Sequence, residues 1–223
     1  MYLALNKRAK TRFPYASEQL KAIFESPLFL KCAGDGQEHK PGAIEIRDWR
    51  YWIAWIGLYT GARLGEISQL LTMDVRQIHG TWIFHVTREG SPIKSTKTAG
   101  SQRVTPMHIQ LVFLRYHADV LARGEKQLFP EIKPDPTGRF SAIPSEFFNK
   151  YLERIGVKCD RTVKFHSFRH GIADAFRKAG YLDEQFGILL GHSKASTTGT
   201  YRIVPQGILS ERVNMIEAVD FGI

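Results

Sequence analysis

Apolar positions along this chain of 223 residues mostly recur at helical spacing, and one central stretch alternates instead. Ser17 and Glu18 open a first amphipathic turn, with Leu20, Ile23 and Phe24 on one face until Pro27 interrupts. Gly34 to Gly42 is a polar loop. From Ile46 to Tyr59 apolar residues are dense on every side, the pattern of a helix buried all round. Thr60-Gly61 breaks that run, and Ala62 to Leu71 resumes helical spacing through Leu64, Ile67, Leu70 and Leu71. Between Val75 and Val104 the period shortens. Thr81 to Val86 and Arg103-Val104-Thr105 read as strands, with Gly80, Gly90, Pro92 and Gly100 at turns. Helical spacing returns over Ile109 to Leu121, from Ser145 to Arg154, and again from Phe165, Asp183 and Gly207, with Pro130 to Pro144 as a loop. The expectation is an α+β fold, mostly helical around a small three-stranded antiparallel sheet.

Composition narrows the class. Apolar residues make up 43% and charged residues 24%, ordinary for a globular domain, so general disorder is not expected. Two cysteines, Cys32 and Cys159, form no CxxC pair and fit structural thiols in a reducing compartment. The first residues lack signal-peptide order, and the uncharged stretch Tyr51 to Ala62 is shorter than the roughly 20 residues that span a bilayer. A cytoplasmic protein with no membrane partner is expected. The net charge of +9 suits a polyanionic partner, since neutralising phosphates releases counterions.

Three segments carry candidate chemistry. Thr60-Gly61-Ala62-Arg63-Leu64-Gly65-Glu66 and His166-Ser167-Phe168-Arg169-His170 each set an arginine near a helix start, where backbone N–H groups also favour an anion. Arginine suits phosphate because its planar fork donates paired hydrogen bonds and keeps its charge. Glu66, three residues after Arg63, is close enough to hold that guanidinium or brace the turn. His166 and Arg169 share a face, with His170 expected in the interior. The His166 to His170 spacing also matches a helical zinc pair, but Ser167 stands where metalloproteases carry their Glu and Arg169 would repel a cation.

The third segment is Leu190-Gly191-His192, followed nine positions later by Tyr201. A phenol with pKa near 10 is ionised in about one molecule per thousand at neutral pH, so it attacks phosphorus only with help from cations or a proton acceptor. Lys94 and Lys97 sit on a predicted hairpin, where a lysine can protonate a leaving 5′-oxygen; Lys94 reads as a solvated loop residue.

Taken in order, these motifs resemble the tyrosine recombinase family, the phage integrases and their relatives. Thr-Gly-Ala-Arg63-Leu-Gly-Glu66 is similar to the first arginine box, Lys97-Thr98 before Arg103 to the β-hairpin lysine, and His166-Ser-Phe-Arg169-His170 to the His-x-x-Arg box. Leu190-Gly191-His192 with Tyr201 resembles the closing box. The resemblance runs from about Phe13 to about Val204. It implies the DNA breaking-rejoining fold and cleavage of one DNA strand through a 3′-phosphotyrosine. The implied roles are Tyr201 as nucleophile, Arg63, Arg169 and His192 on the phosphate, Lys97 as general acid and His166 as proton acceptor, with Glu66 behind them. It implies no metal or other cofactor, double-stranded DNA as partner, and a homotetramer on two duplexes, with a monomer as the state without DNA.

The implied organisation is a basic linker over 1–14, a catalytic domain over 15–205, and a tail over 206–223 in which Gly207 to Phe221 could dock on a neighbouring protomer. The core-binding domain that usually precedes this domain is not recognised here, so a catalytic domain alone is expected. Phe168 and Gly171-Ile172-Ala173 depart from the commoner residues around the second arginine. Two other readings remain open: type IB topoisomerase-like nicking and rejoining, and a DNA-binding module without catalysis.

Overall fold

A computed structural model describes residues 13–96, 98, 101–108, 110–158, 162–192 and 204–223. Helix α1 (Ser17–Phe24) is capped at Ala16 rather than at Ser17, through the Gln19 side chain, which accepts from the Ala16 N–H at 2.9 Å. Helix α2 (Trp49–Thr60) forms the centre. Asp48 caps its first turn by accepting from the Arg50 N–H at 2.8 Å, and Gly61, at φ 59°, ends it in the left-handed conformation. The helix buries Trp52, Ile53, Ala54, Ile56 and Leu58, as its all-round apolar pattern requires.

Helix α3 (Leu64–Ser68) is much shorter than the spacing through Leu71 predicts. Leu70 O accepts from the Leu128 N–H at 2.9 Å, the Thr72 N–H donates to Lys126 O at 2.9 Å, and the Leu71 N–H donates to the Asp74 carboxylate at 2.7 Å. Tertiary pairing with 126–128 thus outcompetes helix propagation. A 3₁₀ turn (Thr72–Asp74) leads into strands β1 (Val75–Ile78), β2 (Thr81–Val86) and β3 (Arg103–Pro106), ordered β1-β2-β3 and antiparallel throughout. Ile78 pairs with Thr81 around His79 and Gly80, both at positive φ, a two-residue turn whose twist matches the strands. Val86 pairs with Arg103, so 87–102 is one long excursion between β2 and β3.

Helices α4 (Gln110–Ala122), α5 (Ala142–Arg154), α6 (Ser167–Lys178), α7 (Asp183–Leu190) and α8 (Gln206–Glu217) complete the chain. Helix α5 starts before the expected Ser145 cap. Pro144 falls in its first turn, where a missing N–H costs nothing. One large core surrounds α2. A second joins Ile172 and Phe176 of α6, Phe186 and Leu189 of α7, and Met215 and Ile216 of α8, while Leu209 of α8 packs on Ile83 and Val104 of the sheet. The tail therefore lies on its own domain. The turn leading into α6 presses against α2 so closely that a side chain at Gly57 would start 2.6 Å from the Phe165 ring. Among the described residues, no helix is long and apolar enough to cross a membrane. Cys32 is a buried free thiol, while Cys159 and nearly all of the 1–14 segment lie outside the described residues.

Candidate active site

The turn after α2 sets the site. Gly61 is required twice over: its φ is positive, and a Cβ there would lie 2.5 Å from Leu190 Cδ2 and 2.7 Å from Ile172 Cγ2. The chain can then pass directly over α6 and α7. Gly61 O accepts from Arg169 Nη1 at 2.9 Å. Two residues on, Arg63 occupies the N-terminal cap of α3, where its N–H donates to Glu66 Oε2 at 2.9 Å and its Nη1 donates to Glu66 Oε1 at 2.7 Å. Glu66 thus braces both the turn and the guanidinium.

Arg169, in the first turn of α6, is only 6% exposed. Its Nη2 is buried and has no hydrogen-bond partner among the described residues. Burial first, then the nearby positive charges of Arg63 and Arg103, pull its pKa down to about 9, with Glu66 opposing. A buried cation with an idle donor is costly unless something anionic completes it. His192 follows the left-handed cap of α7 at Gly191 and donates its N–H to Gly187 O at 3.0 Å. The residue is open to solvent on one side, and its Nδ1 lies 3.6 Å from where a Cβ on Gly187 would sit. Partial burial, Arg169 and Arg63 lower its pKa, with Asp183 pulling the other way. This environment favours the neutral imidazole.

His166 caps α6 and stands edge-on to His170, ring centroids 5.1 Å apart, with both residues half-buried rather than interior. It lines a cleft of about 260 Å³ with Lys164, Ser145 and Asn149. Arg63 lines the adjoining cleft of about 200 Å³ with Arg139 and Ser95; Gly65 and Ser141 belong to both. Four of the expected site residues, Arg63, Glu66, Arg169 and His192, are thus electrostatically coupled, and His166 opens beside them. Lys97 and Tyr201 lie outside the described residues.

Several participants escaped the sequence reading. Arg103 is buried and donates from Nη2 to Glu66 Oε2 at 2.9 Å, so Glu66 holds two arginines and, despite its burial, stays ionised with a lowered pKa. Between Gln102 and Val104, nothing local in the sequence marks it as buried. Lys94, expected to be solvated, is 1% exposed and paired to Asp74 at 2.6 Å. The reason is that the Lys94–Ser95 segment is tied back to Asp74 and Gln69 rather than projecting. Gln69 donates to Ser95 O at 2.5 Å and accepts from the Ser95 N–H at 2.9 Å, and Arg88 donates to both Thr96 Oγ1 and Thr96 O. Thr98 Oγ1 and Ser101 Oγ share a hydrogen bond of 3.0 Å, and Ser101 Oγ also accepts from Arg63 Nη1 at 3.3 Å. The positions on either side of Lys97 are therefore anchored.

The phage integrase family profile matches residues 40–206, most of the chain. No curated protein matches the sequence significantly. Among solved structures, the integrase of mycobacterium phage Brujita is similar at a TM-score of 0.56 and 17% identity, covering 100% of this chain and 61% of its own. XerA recombinase is similar at 0.52 and 16% identity over 95% of this chain and 66% of its own. The Tn1549 transposon integrase, solved with transposon right-end DNA, is similar at 0.51 and 19% identity over 96% of this chain and 68% of its own. The chain thus spans about three fifths of the phage integrase it resembles. A family match across most of the sequence, joined to this fold and to two arginine boxes whose guanidiniums lie within electrostatic reach of each other, places it plainly: the chain belongs to the phage integrase family of tyrosine recombinases and has the fold of their catalytic domain.

Proposed function

We propose that this domain cleaves and rejoins double-stranded DNA in the cytoplasm as part of a site-specific recombinase. The observation that carries the reading is the Arg169 guanidinium: buried, fixed on one side by Gly61 O, and left with an idle Nη2 beside Arg63 and His192. That is a receptor for a phosphodiester rather than a structural ion pair.

In the proposed step, Tyr201 Oη attacks the scissile phosphorus, and a covalent 3′-phosphotyrosine forms as the bond from phosphorus to the 5′-oxygen breaks. His166 takes the phenol proton, and Lys97 gives a proton to the departing 5′-oxygen. Arg63, Arg169 and neutral His192 donate to the non-bridging oxygens, where charge builds in the transition state. The covalent link conserves the bond energy, so a 5′-hydroxyl from a partner strand reverses the chemistry without ATP. Glu66 keeps the arginines aimed. Exchange takes place among four protomers on two duplexes, with the chain monomeric before DNA binds, and release of α8 from its own domain frees it to dock on a neighbour.

The test is a suicide duplex nicked near the crossover. Wild type should form a denaturant-stable adduct, and Tyr201→Phe should form none while retaining DNA binding. An adduct with Tyr201→Phe removes that nucleophile. Relaxation of supercoiled DNA without strand exchange would favour the topoisomerase-like reading, and binding with no adduct would leave a DNA-binding module.

A further inference from the structure

Arg103 opens β3 with its side chain turned inward and 1% exposed. Its donors leave in three directions. Nη2 goes to Glu66 Oε2 at 2.9 Å, Nη1 to Ser101 O at 2.8 Å and Nε to Leu189 O at 2.7 Å. Two of the acceptors bear on Arg63 and the third on the segment that carries His192. Glu66 grips Arg63, Ser101 touches Arg63 through its hydroxyl, and Leu189 lies in the last turn of α7, three residues before His192.

The link to His192 is tight. Gly191 passes over the guanidinium at φ 68°, and a Cβ there would stand 3.0 Å from Arg103 Nη1 and 3.2 Å from Ser101 Cα. The guanidinium therefore joins the Glu66 carboxylate of α3, the entry to β3 and the last turn of α7 at one point.

We propose that Arg103 is a positioning residue for strand cleavage: without touching DNA, it fixes Arg63 and His192 relative to each other on the non-bridging oxygens of the scissile phosphate. This rests on the recombinase reading above. Lysine cannot replace it, because one ammonium on a flexible stem does not reproduce three donors in a rigid plane. Losing the joint lets the two phosphate ligands drift by a fraction of an ångström to an ångström, and misplacement on that scale costs on the order of a hundredfold in rate.

The experiment compares wild type, Arg103→Lys and Arg103→Gln on three suicide duplexes: unmodified, with a methylphosphonate at the scissile position, and with sulfur bridging phosphorus to the 5′ carbon. The methylphosphonate lacks the charged oxygen that Arg63 and His192 serve. The sulfur leaves without needing a proton. Both variants should keep a native circular dichroism spectrum and bind duplex within about threefold of wild type, yet form adduct about a hundredfold more slowly on unmodified DNA. The deficit should persist with bridging sulfur and shrink to within about fivefold on the methylphosphonate. Cleavage of unmodified DNA by Arg103→Lys within threefold of wild type overturns the proposal, as does an equal deficit on the unmodified and methylphosphonate duplexes, which is the mark of a general folding defect. An absence of adduct from wild type would instead overturn the recombinase reading itself.

Discussion

Replacing Glu66 by Gln tests the electrostatic account most directly. The wild-type carboxylate, 4% exposed, contacts Arg63 at 2.7 Å and Arg103 at 2.9 Å, and it is the one acidic group that opposes the depression of Arg169. Glutamine keeps the shape and one acceptor, but leaves three arginines without a counter-charge. Breaking a buried pair outright costs about 3–5 kcal/mol; with part of the hydrogen bonding retained, about 2–3 kcal/mol is expected. For a domain of this size that lowers the melting midpoint by roughly 4–12 °C.

An anion should reverse much of this loss. If the pocket receives phosphate, sulfate binds the folded state only, and each tenfold excess over its dissociation constant returns about 1.4 kcal/mol. The variant, being more positive there, should gain more from sulfate than wild type does, at matched ionic strength against chloride. Urea unfolding in the two salts measures both effects. A Glu66→Gln destabilisation under 0.5 kcal/mol, or a sulfate gain no larger than that of wild type, would refute the idea that unbalanced positive charge in this pocket awaits an anion.

Two other outcomes are expected. Asp74 already sits above its ordinary carboxylate pKa because burial outweighs Lys94, so Lys94→Met should push it higher still. The folded variant then holds a proton that the unfolded chain has lost, so its deficit of about 3–5 kcal/mol at pH 8 should narrow as the pH falls toward 5; urea midpoints that show a constant deficit would rule this out. His192 should titrate below 6.5 in the free protein, because partial burial and two arginines oppose its charge, and phosphate should raise that midpoint by offsetting them; an NMR titration that moves downward with phosphate would contradict the placement of His192 beside the anion.

The helices, the strand from Thr81 to Val86 and the two arginine boxes were legible because each depends on local periodicity or on residue types set a few positions apart. Long-range polar pairing was not. Arg103 meets Glu66 across 37 residues and Lys94 meets Asp74 across 20, and in both cases the sequence shows only a charge in a plausible solvent position. Helix α3 was overextended for the same reason. Leu70 keeps helical spacing, but its carbonyl is taken by Leu128 and the Thr72 N–H by Lys126, partners that no local pattern announces. His170, expected to be packed or hydrogen-bonded in the interior, packs edge-on against His166 but is only half-buried.

The pocket's charge balance also bears on how it would accelerate cleavage. Three guanidiniums, of Arg63, Arg103 and Arg169, gather around one carboxylate, and Arg169, which has no carboxylate partner of its own, is the one whose charge is disfavoured. A site built for ground-state binding of a phosphodiester, with one negative charge, would need less. The five-coordinate phosphorus of the transition state carries close to two, and that additional charge is what the idle Nη2 and the depressed pKa of Arg169 reward. Because Arg103 is buried and each of its three nitrogens is committed to Glu66, Ser101 or Leu189, contact with the phosphate in the proposed reaction falls to Arg63 and Arg169. In the proposed reaction, stabilisation would therefore be concentrated on the two oxygens that gain charge as the phosphorus is attacked.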